Sequence, residues 1–410
     1  MKLLFVHQNY PGPFRHLAPA LARLPDHRVA ALHMRSDLPD RVDGVQLVSY
    51  RPARSSTRDV HPWLRDLETK TIRGEAAFRA GTALRERGYE PDIIIGHPGW
   101  GEMMFLKDVW PQARMAIHCD YYFRKDGGDV GFDPEFVTPD PLDASRIAFR
   151  NLHLDMTLRE ADAGLAPTQF QADAFPGFFR QWITVVPDGI DTVRFVPRAD
   201  ASVDVGDGLV LTREDEVVSF CAPVLEPGSG YHIFMRALPE LLGARPAAHI
   251  VIAGGEGAPT DWPSAGLSWK QKFIDEVRLL VGPADWARVH FMGRPDRRGR
   301  LALAQASRVH VHLSYPFPLS PYLIEAMSAG CAVVAGNTEP VREAIKHGES
   351  GILVDYFDVP GMASSIASLL ADAAMRTELG QRAREAACAG WDLNAVSLPR
   401  AKAWLEAVAA

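Results

Sequence analysis

The chain has 410 residues, 47% of them hydrophobic and 23% charged, with a formal net charge of −7. That length allows two or three domains of roughly 100–200 residues, each able to bury a core without staples, and the acidic balance excludes a general attraction to nucleic acid or anionic membrane. No apolar stretch approaches the roughly 20 residues of a membrane span, and four scattered cysteines without a CxxC pair argue against a disulfide framework or zinc cluster, so the expected setting is the reducing cytoplasm with membrane contact at most peripheral.

The N-terminal run Leu3–Val6 is too short for a signal peptide and is followed at once by Tyr10-Pro11-Gly12-Pro13, so it reads as a first buried strand. Further short apolar runs follow at Val29–His33, Ile93–Gly96, Met115–His118, Gly164–Pro167 and Ile183–Val186, with helix-like stretches at Leu17–Leu24 and Thr71–Arg87. Pro19 is tolerable in the opening turn of the first of these helices. Ala201–Asp215 is polar and reads as a surface loop. The alternation then restarts with Val217–Cys221, His249–Ala253, Val289–Met292, Val309–Leu313, Cys331–Ala335 and Ile352–Val354. Helical patterns lie between them at Ile233–Leu242, Lys270–Leu280, Leu323–Ala329 and Val359–Ala371. Short, doubly buried strands alternating with helices predict an α/β chain of two doubly wound, Rossmann-like domains. The expected boundaries are residues 1–195 and 196–384, with the joint near Pro187-Asp188-Gly189-Ile190-Asp191. The tail from Glu385 to Ala410, which carries Trp391 and Trp404, is helical in character and is able to cross back to the first domain.

The chemistry concentrates in Tyr315-Pro316-Phe317-Pro318-Leu319-Ser320-Pro321-Tyr322-Leu323-Ile324-Glu325-Ala326-Met327. A strand ends, a Pro-rich loop follows, and a helix opens at Pro321, where proline is well placed. The free amides beyond it suit a diphosphate, and Glu325, one turn in, is placed to accept from vicinal ribose hydroxyls. An ordinary capped helix with Glu325 in solvent is the plain alternative. His97-Pro98-Gly99-Trp100 closes another strand, and its Trp100 is either a stacking platform or a turn anchor.

This segment, together with Pro187-Asp188-Gly189-Ile190-Asp191 and Asn337-Thr338-Glu339-Pro340, resembles the family 4 glycosyltransferases of the GT-B fold. Phe132-Asp133-Pro134-Glu135-Phe136 resembles a bacterial subgroup of that family. The resemblance implies two Rossmann-like domains facing across a cleft, the first for the acceptor and the second for a nucleotide-sugar donor. It also implies retaining, metal-independent transfer with no cofactor. Carried over by position, it assigns His118 to catalysis, and Asp120, two residues on, joins it there as the nearby acid. Gly12, Gly228, Ser229, Gly230, Gly293, Arg294, Leu319, Ser320, Tyr322 and Glu325 fall to the donor, and Tyr10, His97, Trp100, Tyr121 and Tyr122 to the acceptor. Gly254-Gly255-Glu256-Gly257 follows a donor-domain strand in the same pattern.

Two positions depart from the family. Its paired-glutamate motif spaces two glutamates eight positions apart; Glu325 matches the second, but Phe317 holds the first, shifting the sugar contact toward Ser320 and the amides around Leu319. Pro223 and Ser229 stand where an arginine and a second base usually meet the diphosphate. Losing two cations from a leaving-group site costs several kcal/mol of transition-state stabilisation, of the order of about 3 kcal/mol for each strong donor. No Asp-x-Asp occurs, so the usual signature of metal-assisted diphosphate binding is missing. A nucleotide-sugar epimerase on the same double fold and a non-catalytic sugar or nucleotide binder remain open; a nicotinamide dehydrogenase is disfavoured, since no strand is followed by GxGxxG. The expected partners are a nucleotide-sugar and a small-molecule or glycan acceptor, in a monomer or homodimer.

Overall fold

The apolar runs of the first half pair side by side because each is buried on both faces. β1 (Lys2–Val6), β2 (Arg28–His33), β3 (Arg41–Val42), β4 (Val45–Ser49), β5 (Ile93–Gly96), β6 (Arg114–His118), β7 (Ala163–Ala166) and β8 (Ile183–Val185) form one sheet in the order β3-β4-β2-β1-β5-β6-β7-β8. Every pairing is parallel except β3 with β4. That edge hairpin turns on Asp43-Gly44, with φ of 49° and 85°, the left-handed pair a two-residue hairpin demands. Leu3, Leu4, Phe5 and Val6 are fully buried, as are Ala30–Leu32, with helices on both faces. The computed structural model describes residues 1–57, 59–137, 140–256 and 268–410.

The second half builds its own sheet from β11 (Glu216–Val224), β12 (Ala248–Gly255), β13 (Val289–Gly293), β14 (Val309–His312), β15 (Ala332–Gly336) and β16 (Ile352–Val354). The order is β13-β12-β11-β14-β15-β16, wholly parallel, the dinucleotide-fold order in which strand direction of travel reverses between β11 and β14. Ala201–Asp215 is not a loop. It forms an antiparallel pair, β9 (Ser202–Asp204) with β10 (Val210–Thr212), whose Val203 and Leu211 are buried while their neighbours face outward. One inward residue per strand leaves the composition polar, which hid the pattern.

By contacts the chain divides into Met1–Asp188 with Asn394–Ala410, and Gly189–Leu393. The Ala373–Trp391 helix stays with the second unit, and the Leu398–Ala409 helix lies with the first, its Trp404 and Leu405 buried in that unit's core. All four cysteines are free thiols. No helix among the described residues is long and apolar enough to cross a membrane.

Gly230 tests the packing of the second unit. It caps the Tyr231–Ala244 helix at φ 73°, and a Cβ there would sit 2.1 Å from Cβ of Leu313. That neighbour is the root of a side chain and cannot swing aside, so Gly230→Ala is expected to cost about 2–3 kcal/mol through strain and overpacking. Gly293, with φ 64° but nothing near its missing Cβ, should lose only about 1 kcal/mol. Urea midpoints for the two variants check the contrast; equal losses would contradict it.

Candidate active site

In parallel α/β sheets the residues just past the carboxyl ends of strands flanking the reversal collect into one crevice. In the first unit β1, β5 and β6 end there, and each delivers a histidine: His7, His97 and His118. The His97 and His118 rings stack with centroids 5.8 Å apart, and His7 meets His97 edge-on at 5.5 Å. Phe14, from the Gly12–Arg15 turn, covers His118 at 6.1 Å. Gly12 has φ 49° and lies so close on the His7 ring that a Cβ would come within 2.6 Å of it. Its role is close approach to a side chain.

Two carboxylates orient these rings. Asp188 Oδ1 lies 3.1 Å from His118 Nε2, and Asp120 Oδ2 lies 3.4 Å from His97 Nε2. Burial pulls the His118 pKa down, but the hydrogen bond and charge of Asp188, with the charge of Asp120, outweigh it and leave the ring above the ordinary imidazole value. Burial would raise Asp120, yet the His97 bond and the charges of His97, His118 and His7 hold it below the usual carboxylate range. His7 goes the other way: burial, then its histidine neighbours, lowers it to about 4. The cluster therefore keeps one imidazole ready to carry a proton and another firmly neutral.

His97, His118 and Asp120 place ligand atoms within 4.8 Å of one another, the spacing of a metal triad. The hydrogen bonds do not suit that use. The Gly99 amide donates to His97 Nδ1 at 3.1 Å, so the neutral ring carries its proton on Nε2, the nitrogen facing Asp120. A ligating histidine needs the opposite arrangement, a lone pair toward the metal and an N–H behind.

Trp100, 39% exposed, stacks on His97 at 6.1 Å with the Arg73 guanidinium 6.0 Å from its ring, so it packs on the histidine cluster while staying partly open to solvent. The tyrosines assigned to the acceptor are not brought to it. Tyr10 is buried in the core against His33. Tyr121 is buried and donates to Asp129 at 3.1 Å, and Tyr122 donates to Asp155 at 2.8 Å; both rings pack on phenylalanines. For Tyr121 and Tyr122 the hydroxyl is satisfied by a carboxylate of the same unit, and for Tyr10 the ring itself is taken into the core.

In the second unit the reversal lies between β11 and β14, and their loops are tied by the Tyr315 amide donating to Gly228 O at 2.9 Å. Ser229 Oγ lies 2.8 Å from the carbonyl oxygens of both Val224 and Glu226, which compete for its one proton, and accepts from the Glu226 amide. Its hydroxyl is spent locally. Beside it the Glu226 carboxyl is raised above its usual value by burial.

The Pro321–Ser328 helix opens as expected, with Ser320 Oγ accepting from the Tyr322 amide at 3.3 Å. Leu319, Ser320 and Tyr322 are half-buried and Pro321 is exposed, so this helix end is not covered within its unit. Glu325 is 7% exposed and is not free: Arg300 Nε donates to Oε2 at 3.1 Å and Nη2 to Oε1 at 3.4 Å. The pair lies over a cavity of about 10 Å³ lined also by Ser219, Cys221, His310 and Tyr322. Arg300 stacks on Tyr322 at 4.9 Å, and exposed Arg294, beyond the left-handed Gly293, is near enough to lower the Tyr322 hydroxyl pKa against the burial that raises it. A carboxylate has about four acceptor sites, so Arg300 leaves room for two hydroxyls. Gly254 and Gly255 end β12, where a Cβ on Gly254 would meet the Ala222 carbonyl at 2.8 Å; Gly257 lies outside the described residues.

Sequence reasoning missed His7, Asp188 and Arg300. His7 was readable as the residue after the first strand, Asp188 as the acid of the Pro-Asp-Gly turn. Arg300 stood in an arginine-rich stretch with no sign of which member turns inward.

Residues 25–195 match a family model described as glycosyl transferase family 4 group, and residues 210–386 match one described as glycosyl transferases group 1. The glycogen synthase of Mycobacterium tuberculosis is 26% identical over 445 aligned positions, covering 99% of this chain and 95% of that one. The D-inositol 3-phosphate glycosyltransferase of Corynebacterium efficiens is 26% identical over 323 positions, covering 76% of this chain and 70% of the relative. Among solved structures, the sucrose-phosphate synthase of Thermosynechococcus elongatus aligns with a TM-score of 0.73 at 20% identity, over 100% of this chain and 99% of that one. Anabaena HepE in complex with UDP and glucose aligns at 0.68 and 17% identity, over 99% of this chain and all of that one. These likenesses place the fold as GT-B.

Proposed function

The chain belongs to the family 4 glycosyltransferases, and from that membership we propose that it moves a sugar from a UDP- or GDP-linked donor onto a hydroxyl or thiol acceptor with retention of configuration. The observation that carries the donor assignment is Glu325, one turn inside a helix that opens at a strand-order reversal, its carboxylate held by Arg300 with acceptor capacity to spare. Arg294 and Arg300 supply positive charge beside Tyr322, in place of the cations absent at Pro223 and Ser229. The HepE structure's UDP and glucose, and the sugar-transferring names of the relatives, favour such a donor.

On this reading the reaction is front-face transfer. The bond from the anomeric carbon to the diphosphate breaks, the acceptor bonds on the same face, and the leaving phosphate takes its proton. No carboxylate nucleophile is needed, unlike double displacement. His118, its Nε2 held by Asp188, has only the Nδ1–H of its protonated ring left to donate to the sugar, and the protein's contribution is positioning and charge stabilisation without metal. A non-catalytic binder is the second reading, favoured by the self-satisfied Ser229 hydroxyl and the Glu226 carboxyl at the expected phosphate loop.

A panel of UDP-, GDP-, ADP- and dTDP-sugars separates them. One nucleotide class should raise the melting temperature and be consumed only with an acceptor. Stabilisation without turnover favours the binder; indifference to every nucleotide rejects both. His118→Gln should lower kcat about 100-fold while leaving nucleotide affinity intact. Asp188 raises the His118 pKa, so Asp188→Asn should move the basic limb of kcat/KM to lower pH. An unmoved limb would remove His118 from the proton inventory.

A further inference from the structure

The second unit holds another cavity, of about 510 Å³, away from the loops that carry Glu325. Arg213 and Arg308 line it from just before β11 and β14, and Gly330 from just before β15. In a parallel sheet these starts share one edge, opposite the carboxyl ends where Ser229 and Ser320 lie. Arg376 and Arg384 complete the wall from the Ala373–Trp391 helix. Four guanidinium groups thus face one lining carboxylate, that of exposed Glu214, in a chain whose net charge is −7.

The arginines are held in place without being neutralised. Arg213 donates to the carbonyls of Gln305 and Gly330, Arg308 to those of Arg213 and Glu214, Arg376 to those of Leu369 and Leu370, and Arg384 to those of Thr192, Phe195 and Ser328. Among the described residues none of the four pairs with a carboxylate; the nearby Glu216 is engaged by Arg245. Burial and the charges of Arg308, Arg213 and Arg245 push Arg376 below the usual guanidinium range, against Glu216. Like charges gathered half-buried cost stability, and backbone carbonyls offset only part of it. Such a cluster is preorganised for a multiply charged oxyanion, which each guanidinium fork can bind through paired N–H groups. The volume matches small-ligand sites and exceeds what a bare ion needs.

We propose that this pocket binds a small phosphate-bearing molecule of sugar-phosphate size, and that its occupancy is felt at Glu325. The link is the Pro321–Ser328 helix, about 12 Å long at its ordinary rise. Arg384 donates to Ser328 O at 2.6 Å and Arg213 to Gly330 O at 3.4 Å, so two wall arginines hold the end of the helix that carries Glu325 at its middle. An anion drawing those guanidinium groups toward itself loosens that grip. The site stands on its own geometry, whatever the donor proves to be.

Calorimetry and thermal shift on the full chain test it, with inorganic phosphate, pyrophosphate and a hexose monophosphate as probes and the free hexose as neutral control. The hexose phosphate is expected to bind, to weaken steeply with salt, and to lose about tenfold in affinity in Arg308→Gln and in Arg376→Gln, neither of which holds the helix end. Tighter binding of inorganic phosphate than of the ester would make the ligand the free anion and overturn the sugar-phosphate assignment. Unchanged binding in both variants, equal binding of free hexose, no binding, or strict mutual exclusion with UDP that never saturates overturns the site, whereas a linked site shifts UDP affinity by a finite factor that levels off. An altered UDP affinity in the presence of the anion, with the reciprocal change, supports the link to Glu325; independent binding overturns it. Ligand-free melting temperatures of both variants near the parent's show that lost binding is not lost folding.

Discussion

Glu325→Ala should both unfold the second unit more readily and abolish its response to the donor nucleotide. Glu325 is buried and Arg300 half-buried, with 9% and 17% of their side chains exposed, and they share two hydrogen bonds. Removing the acid strands a guanidinium over a small cavity beside Ser219, Cys221 and His310. Breaking a buried pair in this way costs about 3–5 kcal/mol, because the surviving charge is no longer compensated. On the proposed donor assignment the ribose loses its acceptor at the same time, so the two effects must be separated. Replacing both partners, Glu325→Leu with Arg300→Met, is expected to recover most of the stability, since similar-sized apolar side chains often substitute for a buried pair at little cost. It should not recover nucleotide binding. A double variant that melts like the parent and still binds nucleotide with parental affinity would remove Glu325 from the donor site, whatever the fold.

Lowering the pH below about 6 should destabilise both units together, by several kcal/mol before pH 4. His7 and His153 in the first unit, and His310 and His312 in the second, are buried and neutral. Burial foremost lowers His7 and His312 to about 4 and His153 and His310 to about 3, with Lys70 adding to the effect on His153 and His312 to that on His310. In the unfolded chain each ring takes its proton near the ordinary value of about 6.5. Between those values the unfolded state binds more protons, so stability falls as pH falls, by about 1.4 kcal/mol per pH unit for each fully engaged histidine. Two per unit remove about 5 kcal/mol over two pH units, comparable with the whole stability of many domains. The carboxyls of Glu102, Asp129 and Glu226, raised by burial, oppose this in part because their folded forms bind protons more readily. His118, also raised, contributes stability that is lost only as pH rises past its folded value. Urea unfolding from pH 7 to pH 4 measures the slope. His310→Gln and His312→Gln should flatten it for the second unit, and a pH-independent midpoint in the parent would contradict the account.

The double α/β architecture was legible in the amino-acid order because strands buried on both faces must be continuous apolar runs. Leu3–Val6, Ile93–Gly96 and Val309–His312 all lie where those runs are. The edge pieces were not legible. β3, β9 and β10 bury one residue each or fewer, so their polar residues outvote the pattern, and only a neighbouring strand holds them extended. The helix opening at Pro321, with its Ser320 cap, was written locally in residue types whose backbone preferences suffice.

What the order of residues determined by itself, then, was the two sheets, the family and the loops at which a donor and a proton-handling histidine would be sought. What only the folded chain decided was who partners whom: Asp188 for His118, Arg300 for Glu325, Asp129 and Asp155 for the tyrosines assigned to the acceptor, and four arginines around one cavity. Hydrophobic periodicity is a local signal, repeated along each element and readable without partners. A hydrogen bond or charge pair between residues tens of positions apart leaves no such trace, because its existence depends on where the backbone has already brought the two groups.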